Sequence, residues 1–141
     1  MPPNIVPFDP DDDLIIVTAE VYGRHDDSRR VTLALDTAAS HTHISSGIID
    51  ELGYSPAEGE AITSVRSAIG KETGYTLRVK RFESLGFGFD DFLIHVHDLP
   101  DGFGIDGLLG LSFLKRFNYE IRSAGGDPHR GCCLAPRSSW A

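Results

Sequence analysis

Cysteine is nearly absent from this chain: the only two are the adjacent pair Cys132 and Cys133. Neighbouring cysteines bond to each other only with backbone strain, so no disulfide framework exists, and the pair reads as two ordinary thiols in a late strand. Long hydrophobic runs are also lacking. No stretch approaches the roughly 20 apolar residues that span a bilayer, so no membrane partner is expected. Basic residues are scarce, 13 against 21 acidic ones, for a net charge of −8. That balance excludes a nucleic-acid partner, because phosphate binding draws on clustered Lys and Arg. The first residues, Met1 to Pro7, lack the basic start and apolar middle of a secretory signal, which leads to the expectation of a cytoplasmic protein.

What is present fits one globular unit. The chain has 141 residues, 40% apolar and 24% charged, enough for a single domain with its own core. Asp9, Asp11, Asp12 and Asp13 form an acidic run, so residues 1–13 read as a solvated, mobile segment and residues 14–141 as the domain. Leu14 to Tyr22 is rich in β-branched residues, and Arg30 to Asp36 alternates with Val31, Leu33 and Leu35 on one face. The two form a predicted hairpin. Thr42 to Ile44 continues as a strand. Ser45 or Ser46 then opens a short helix through Leu52, closed by Gly53.

Ala61 to Ala68 and Tyr75 to Phe82 read as the arms of a long hairpin with a polar tip at Ile69 to Gly74. Its arms offer little to bury, so it is expected to project and move. Phe82 to Phe89 and Asp91 to His97 read as strands around a turn at Asp90. Gly107 to Leu109 is a short apolar strand, followed by a helix capped by Ser112. Asn118 to Arg122 and Gly131 to Leu134 form a last hairpin. The class is mostly β with one or two short helices.

Two segments carry the chemistry. Leu33-Ala34-Leu35 delivers Asp36 and then stops at Thr37, Ala38, Ala39 and Ser40. A carboxylate at the end of a buried strand is costly and usually has a chemical reason. The second segment is Leu108-Leu109-Gly110, followed by the helix. Together, and in this order around a glycine-tipped hairpin, they resemble the retropepsin-like aspartic proteases, in particular compact prokaryotic-type aspartyl protease domains. The resemblance spans about Leu14 to Leu134.

The resemblance implies a closed β-barrel-like acid-protease lobe with a flap hairpin. It implies a homodimeric aspartic endopeptidase acting on peptide or protein substrates without a cofactor. Each chain supplies one Asp36, since two carboxyls sharing a proton do the hydrolysis, and the dimer is isologous. Thr37 locks the two active-site loops together, with Ala38, Ala39 and Ser40 supporting them. Ile69, Gly70, Lys71, Glu72, Thr73 and Gly74 form the flap. Leu108, Leu109 and Gly110 are the structural second motif.

Ala38 departs from the family, which carries glycine there. Its N–H is retained, but its methyl adds bulk and it resists some torsions that glycine allows. This motivates an alternative reading, a protease-like dimer that binds peptides or proteins without cutting them. A third reading is a scaffold that only dimerises. Asp106 precedes the second motif and reads as a loop residue. His41 and His43 alternate, as do His95 and His97, but no third ligand at a suitable spacing is evident. They read as surface histidines with no metal site, and His41 as a candidate wall of a substrate subsite. Gly86 and Gly88 read as turn glycines. Phe82, Phe87, Phe89, Phe92, Phe113 and Phe117 read as core or interface.

Overall fold

The computed structural model describes residues 4–67, 70–99, 104–124 and 131–136. Seven strands make the main sheet: β2 (Ile16–Tyr22), β3 (Ser28–Leu35), β4 (His43–Ile44), β5 (Ala61–Ser67), β6 (Gly70–Ser84), β7 (Phe87–Val96) and β8 (Gly107–Leu109). Their order is β2-β3-β8-β4-β7-β6-β5, and β2 also pairs with β6. That last pairing closes six strands into a barrel and leaves β5 as an appendage of β6. The class is the mostly β, closed-barrel lobe expected from the sequence.

Alternation explains the barrel wall. Val17, Ala19 and Val21 of β2 and Val31, Leu33 and Leu35 of β3 turn inward, while Glu20 and Arg30 stay at the surface. Phe82, Phe92 and Phe113 are fully buried at the centre. Phe82 stacks on Phe92 at 4.9 Å between centroids, and Phe113 meets Phe82 edge-on at 5.7 Å. Phe117 is buried beside them, and Phe87 and Phe89 pack against the same cluster. Of the two places expected for these aromatics, core or interface, they occupy the core.

The helices are short: α1 (Ser46–Glu51), a 3-10 turn at Pro56–Glu58, and α2 (Leu111–Leu114). Neither α-helix is capped as expected. At α1, Ser45 holds the cap position without a side-chain bond, and Asp98 at the end of β7 accepts from the Ser46 N–H and hydroxyl at 2.9 and 2.8 Å. A carboxylate at that end also complements the helix dipole. At α2, Gly110 is the cap residue and Ser112 lies inside the helix. No helix among the described residues is long and apolar enough to cross a membrane.

Two further expectations are corrected. The chain runs through Asp90 inside β7, and the turn falls at Leu85 and Gly86. Both have positive φ, 54° and 87°, the pattern of a two-residue hairpin turn whose twist matches its strands. The Asn4 side-chain amide donates to the Leu85 carbonyl at 2.6 Å and supports the turn. Asn4 belongs to β1 (Asn4–Val6), which pairs with β10 (Gly131–Pro136), itself paired with β9 (Phe117–Arg122). Residues 4–6, expected in a mobile segment, are therefore a strand. The predicted hairpin of β9 and β10 is present.

Phe113 is fully buried between Phe82, Phe89 and Phe117. Phe113→Ala should cost about 3–5 kcal/mol of stability, read as a lowered urea midpoint with an unchanged slope.

Candidate active site

Asp36 is the first residue after β3, and the sheet delivers it to a fixed place. Strand β8 lies between β3, which it pairs in parallel, and β4, which it pairs antiparallel. The Asp36 N–H donates to the Leu109 carbonyl at 2.9 Å. The chain then turns sharply, with the Ala39 N–H donating to the Asp36 carbonyl at 3.2 Å. The Ala38 N–H donates to Asp36 Oδ1 at 2.9 Å. Ala38 is exposed and does not take a positive φ, so alanine is free of backbone strain here and retains the donor that glycine would supply. Thr37 and Ser40 are exposed, and Ala39 is half-buried.

The loop is locked to the second motif. The Leu111 N–H donates to the Ala39 carbonyl at 2.8 Å, and Gly110 N–H to Thr42 Oγ1 at 3.3 Å. Ser112 Oγ accepts from the Thr42 N–H at 3.1 Å and lies 3.0 Å from its hydroxyl. Thr42 is fully buried, so these bonds satisfy polar groups that would otherwise be costly. The Ser112 hydroxyl thus ties loop to helix. Asp106 is a structural clamp: its Oδ2 accepts from the Thr32 N–H at 2.8 Å and its N–H donates to the Thr32 carbonyl at 2.7 Å. That fits its reading as a loop residue.

Beside Asp36 lies a largely apolar cavity of about 420 Å³ lined by Leu14, Ala34, Leu35, Asp36, Leu99, Ile105 and Leu108. A half-buried carboxylate in such a wall can hold a water or a proton close to an apolar ligand. The long hairpin expected here is present as β5 and β6, with Ser67 opposite Gly70 and Thr63 opposite Gly74. Ile69 lies outside the described residues. Gly70, Lys71, Glu72, Thr73 and Gly74 belong to strand β6, so the strand runs five residues further toward the tip than the glycines suggested. At Gly74 a Cβ would stand 2.6 Å from His97 Cε1, so the base of the hairpin packs directly on that ring.

The histidines are the main correction. Strands β4 and β7 run parallel, with His43 opposite His95 and Ile44 opposite Val96. Ile44, Ile94 and Val96 fill the core, which sends His43, His95 and His97 to the other face together. His41 stacks on His95 at 3.9 Å between centroids, and His43 lies 5.3 Å from His95 and 5.4 Å from His97. One nitrogen from each of His43, His95 and His97 falls within 4.8 Å of the others. The third candidate ligand that the spacing did not reveal is brought in by strand pairing.

Burial and mutual repulsion set the charge of this cluster. The pKa of His43 falls to about 4, first through desolvation, then through His97 and His41, with Asp36 opposing. That of His95 also falls to about 4, through desolvation and the charges of His41, His43 and His97. Both rings are therefore neutral at pH 7 in the fold and ionise near 6.5 when unfolded. The unfolded chain binds more protons below that point, so stability is complete above pH 6.5 and declines as pH falls toward 4. A urea series with chelator present should show this decline, and His43→Leu/His95→Leu should flatten it.

An aspartyl protease family model matches residues 17–113. No curated protein matches the chain. Among solved structures, a retropepsin-like aspartic protease from Rickettsia conorii is similar, with a TM-score of 0.68 and 20% identity, covering 96% of this chain and 99% of that one. EIAV protease complexed with the inhibitor HBY-793 is similar at a TM-score of 0.57 and 16% identity, covering 78% of this chain and 92% of that one.

Proposed function

This chain belongs to the aspartyl protease family and is an aspartic-type endopeptidase; from that premise we propose that it acts as a homodimer with Asp36 as its catalytic residue. The observation that carries the reading is the placement of Asp36: half-buried, at a strand end, with Oδ1 held by the Ala38 N–H, facing an apolar cavity. Aspartic proteolysis needs two carboxyls. Asp106 is engaged with the Thr32 backbone and does not serve as the second. A twofold axis beside the exposed Thr37 brings in the Asp36 of another copy.

In that pair one carboxyl is ionised and the other protonated, because two negative charges at contact distance are unfavourable. The ionised one takes a proton from a water as its oxygen attacks the scissile carbonyl carbon. The protonated one gives its proton to the carbonyl oxygen, and a gem-diol forms. Collapse returns a proton from the diol to a carboxyl, another proton goes to the leaving nitrogen, and the C–N bond breaks. The hairpin of β5 and β6 closes over an extended peptide, excluding water and pairing with its backbone. His41, exposed and stacked on His95, lines a subsite of the same cleft.

The Ala38 methyl narrows the space beside the dyad and restricts substrates rather than abolishing turnover. Its unstrained backbone and its bond to Asp36 support this over a binding-only dimer.

Asp36→Asn should lower peptide cleavage at mildly acidic pH by about 10³-fold or more while sedimentation still finds a dimer. Cleavage that survives the change overturns the assignment. Tight peptide binding by the unmodified chain with no product by mass spectrometry selects the binding-only dimer instead.

A further inference from the structure

Three imidazoles converging on one face of a rigid sheet, in a protein whose proposed chemistry uses none of them, call for a separate account. We propose that His43, His95 and His97 bind one divalent transition-metal ion of the zinc class, with the fourth coordination position left to water or to an incoming ligand.

The donor set selects the ion. Three imidazole nitrogens suit zinc, copper or nickel, whereas magnesium and calcium require oxygen ligands that this group lacks. Three protein ligands with one open position is the arrangement of accessible rather than purely structural zinc sites. The nitrogens lie within 4.8 Å of one another. Tetrahedral zinc with Zn–N near 2.05 Å needs them about 3.4 Å apart, so the widest pair must close by up to about 1.4 Å through side-chain rotation.

The scaffold holds the backbone of the three residues in place. The His95 N–H donates to the Thr42 carbonyl at 2.9 Å and the His97 N–H to the Ile44 carbonyl at 3.2 Å. Backbone bonds therefore fix all three ligand positions on paired strands, with the core side chains Ile44, Ile94 and Val96 locking the opposite face. Sites mounted on strands hold their geometry better than sites on loops. At Gly74 only a hydrogen fits against His97, so β6 shields one side of the site. His41 stacks on His95 and stands outside the ligand group.

This inference is independent of the proposed catalysis, because it is read by metal uptake and not by cleavage. The purified chain, stripped with chelator, is titrated calorimetrically with Zn²⁺ and, as a control, Mg²⁺. One Zn²⁺ per chain and no Mg²⁺ are expected. His43→Gln and His95→Gln should each weaken Zn²⁺ binding by at least about tenfold, since losing even an outer partner of a ligand costs that much. Circular dichroism establishes that the variants are folded. If they unfold, Co²⁺ added to the unaltered chain should give the intense visible bands of a tetrahedral site. Cys132→Ser/Cys133→Ser should keep the affinity. No Zn²⁺ uptake, uptake unchanged in folded His43→Gln/His95→Gln, Co²⁺ bands of an octahedral complex, or uptake lost with the cysteines would each overturn the assignment.

Discussion

Strand β8 is three residues long and lies wedged between β3 and β4, which leaves no room for a side chain at either of its ends. A Cβ at Gly107 would stand 2.9 Å from the His43 carbonyl carbon, and one at Gly110 would stand 2.7 Å from the Ala39 carbonyl oxygen. These are backbone atoms, so no rotamer change relieves the contact. The closeness is what allows the Asp36 N–H to reach Leu109 and the Leu111 N–H to reach Ala39. Asp36 on one side and His43 on the other are both positioned by the same wedge. A substitution at either glycine therefore disturbs the carboxylate and the imidazoles together.

The acid and the imidazoles solve their burial in different ways. The carboxylate keeps partial access to solvent and is held by one backbone N–H. His43 and His95 shed their protons, because burial penalises the charged form and the neighbouring imidazoles repel it. Asp36 opposes that loss at His43 without overcoming it. Asp36 and His43 thus lie within electrostatic reach of each other. Lowering the pH toward 4 loads His43 and His95 with charge.

Much of this was legible along the chain. The strand into Asp36, the second motif and the final hairpin rest on local alternation and on small residues at fixed places. The family model over residues 17–113 spans the first two of these and ends before the hairpin. The misplaced turn at Asp90 has a clear reason: Asp90-Asp91 looks like turn chemistry, whereas the actual turn uses Leu85, a residue ill suited to positive φ. Asn4, distant in sequence, compensates there. Ser112 looked like a cap because hydroxyls often are, yet its partner is Thr42. The imidazole cluster was hidden most deeply. Each His-x-His pair is unremarkable alone, and only the parallel pairing of β4 with β7 joins them.

Strand β6 is a single unbroken element of 15 residues, roughly 50 Å if fully extended. It begins in the projecting hairpin, crosses the barrel beside β7, and ends paired to β2, the neighbour of the strand that carries Asp36. Hairpin and wall are therefore joined through one continuous strand. Whatever presses on the outer end must twist the whole ribbon, and the torque arrives at the barrel's closing seam.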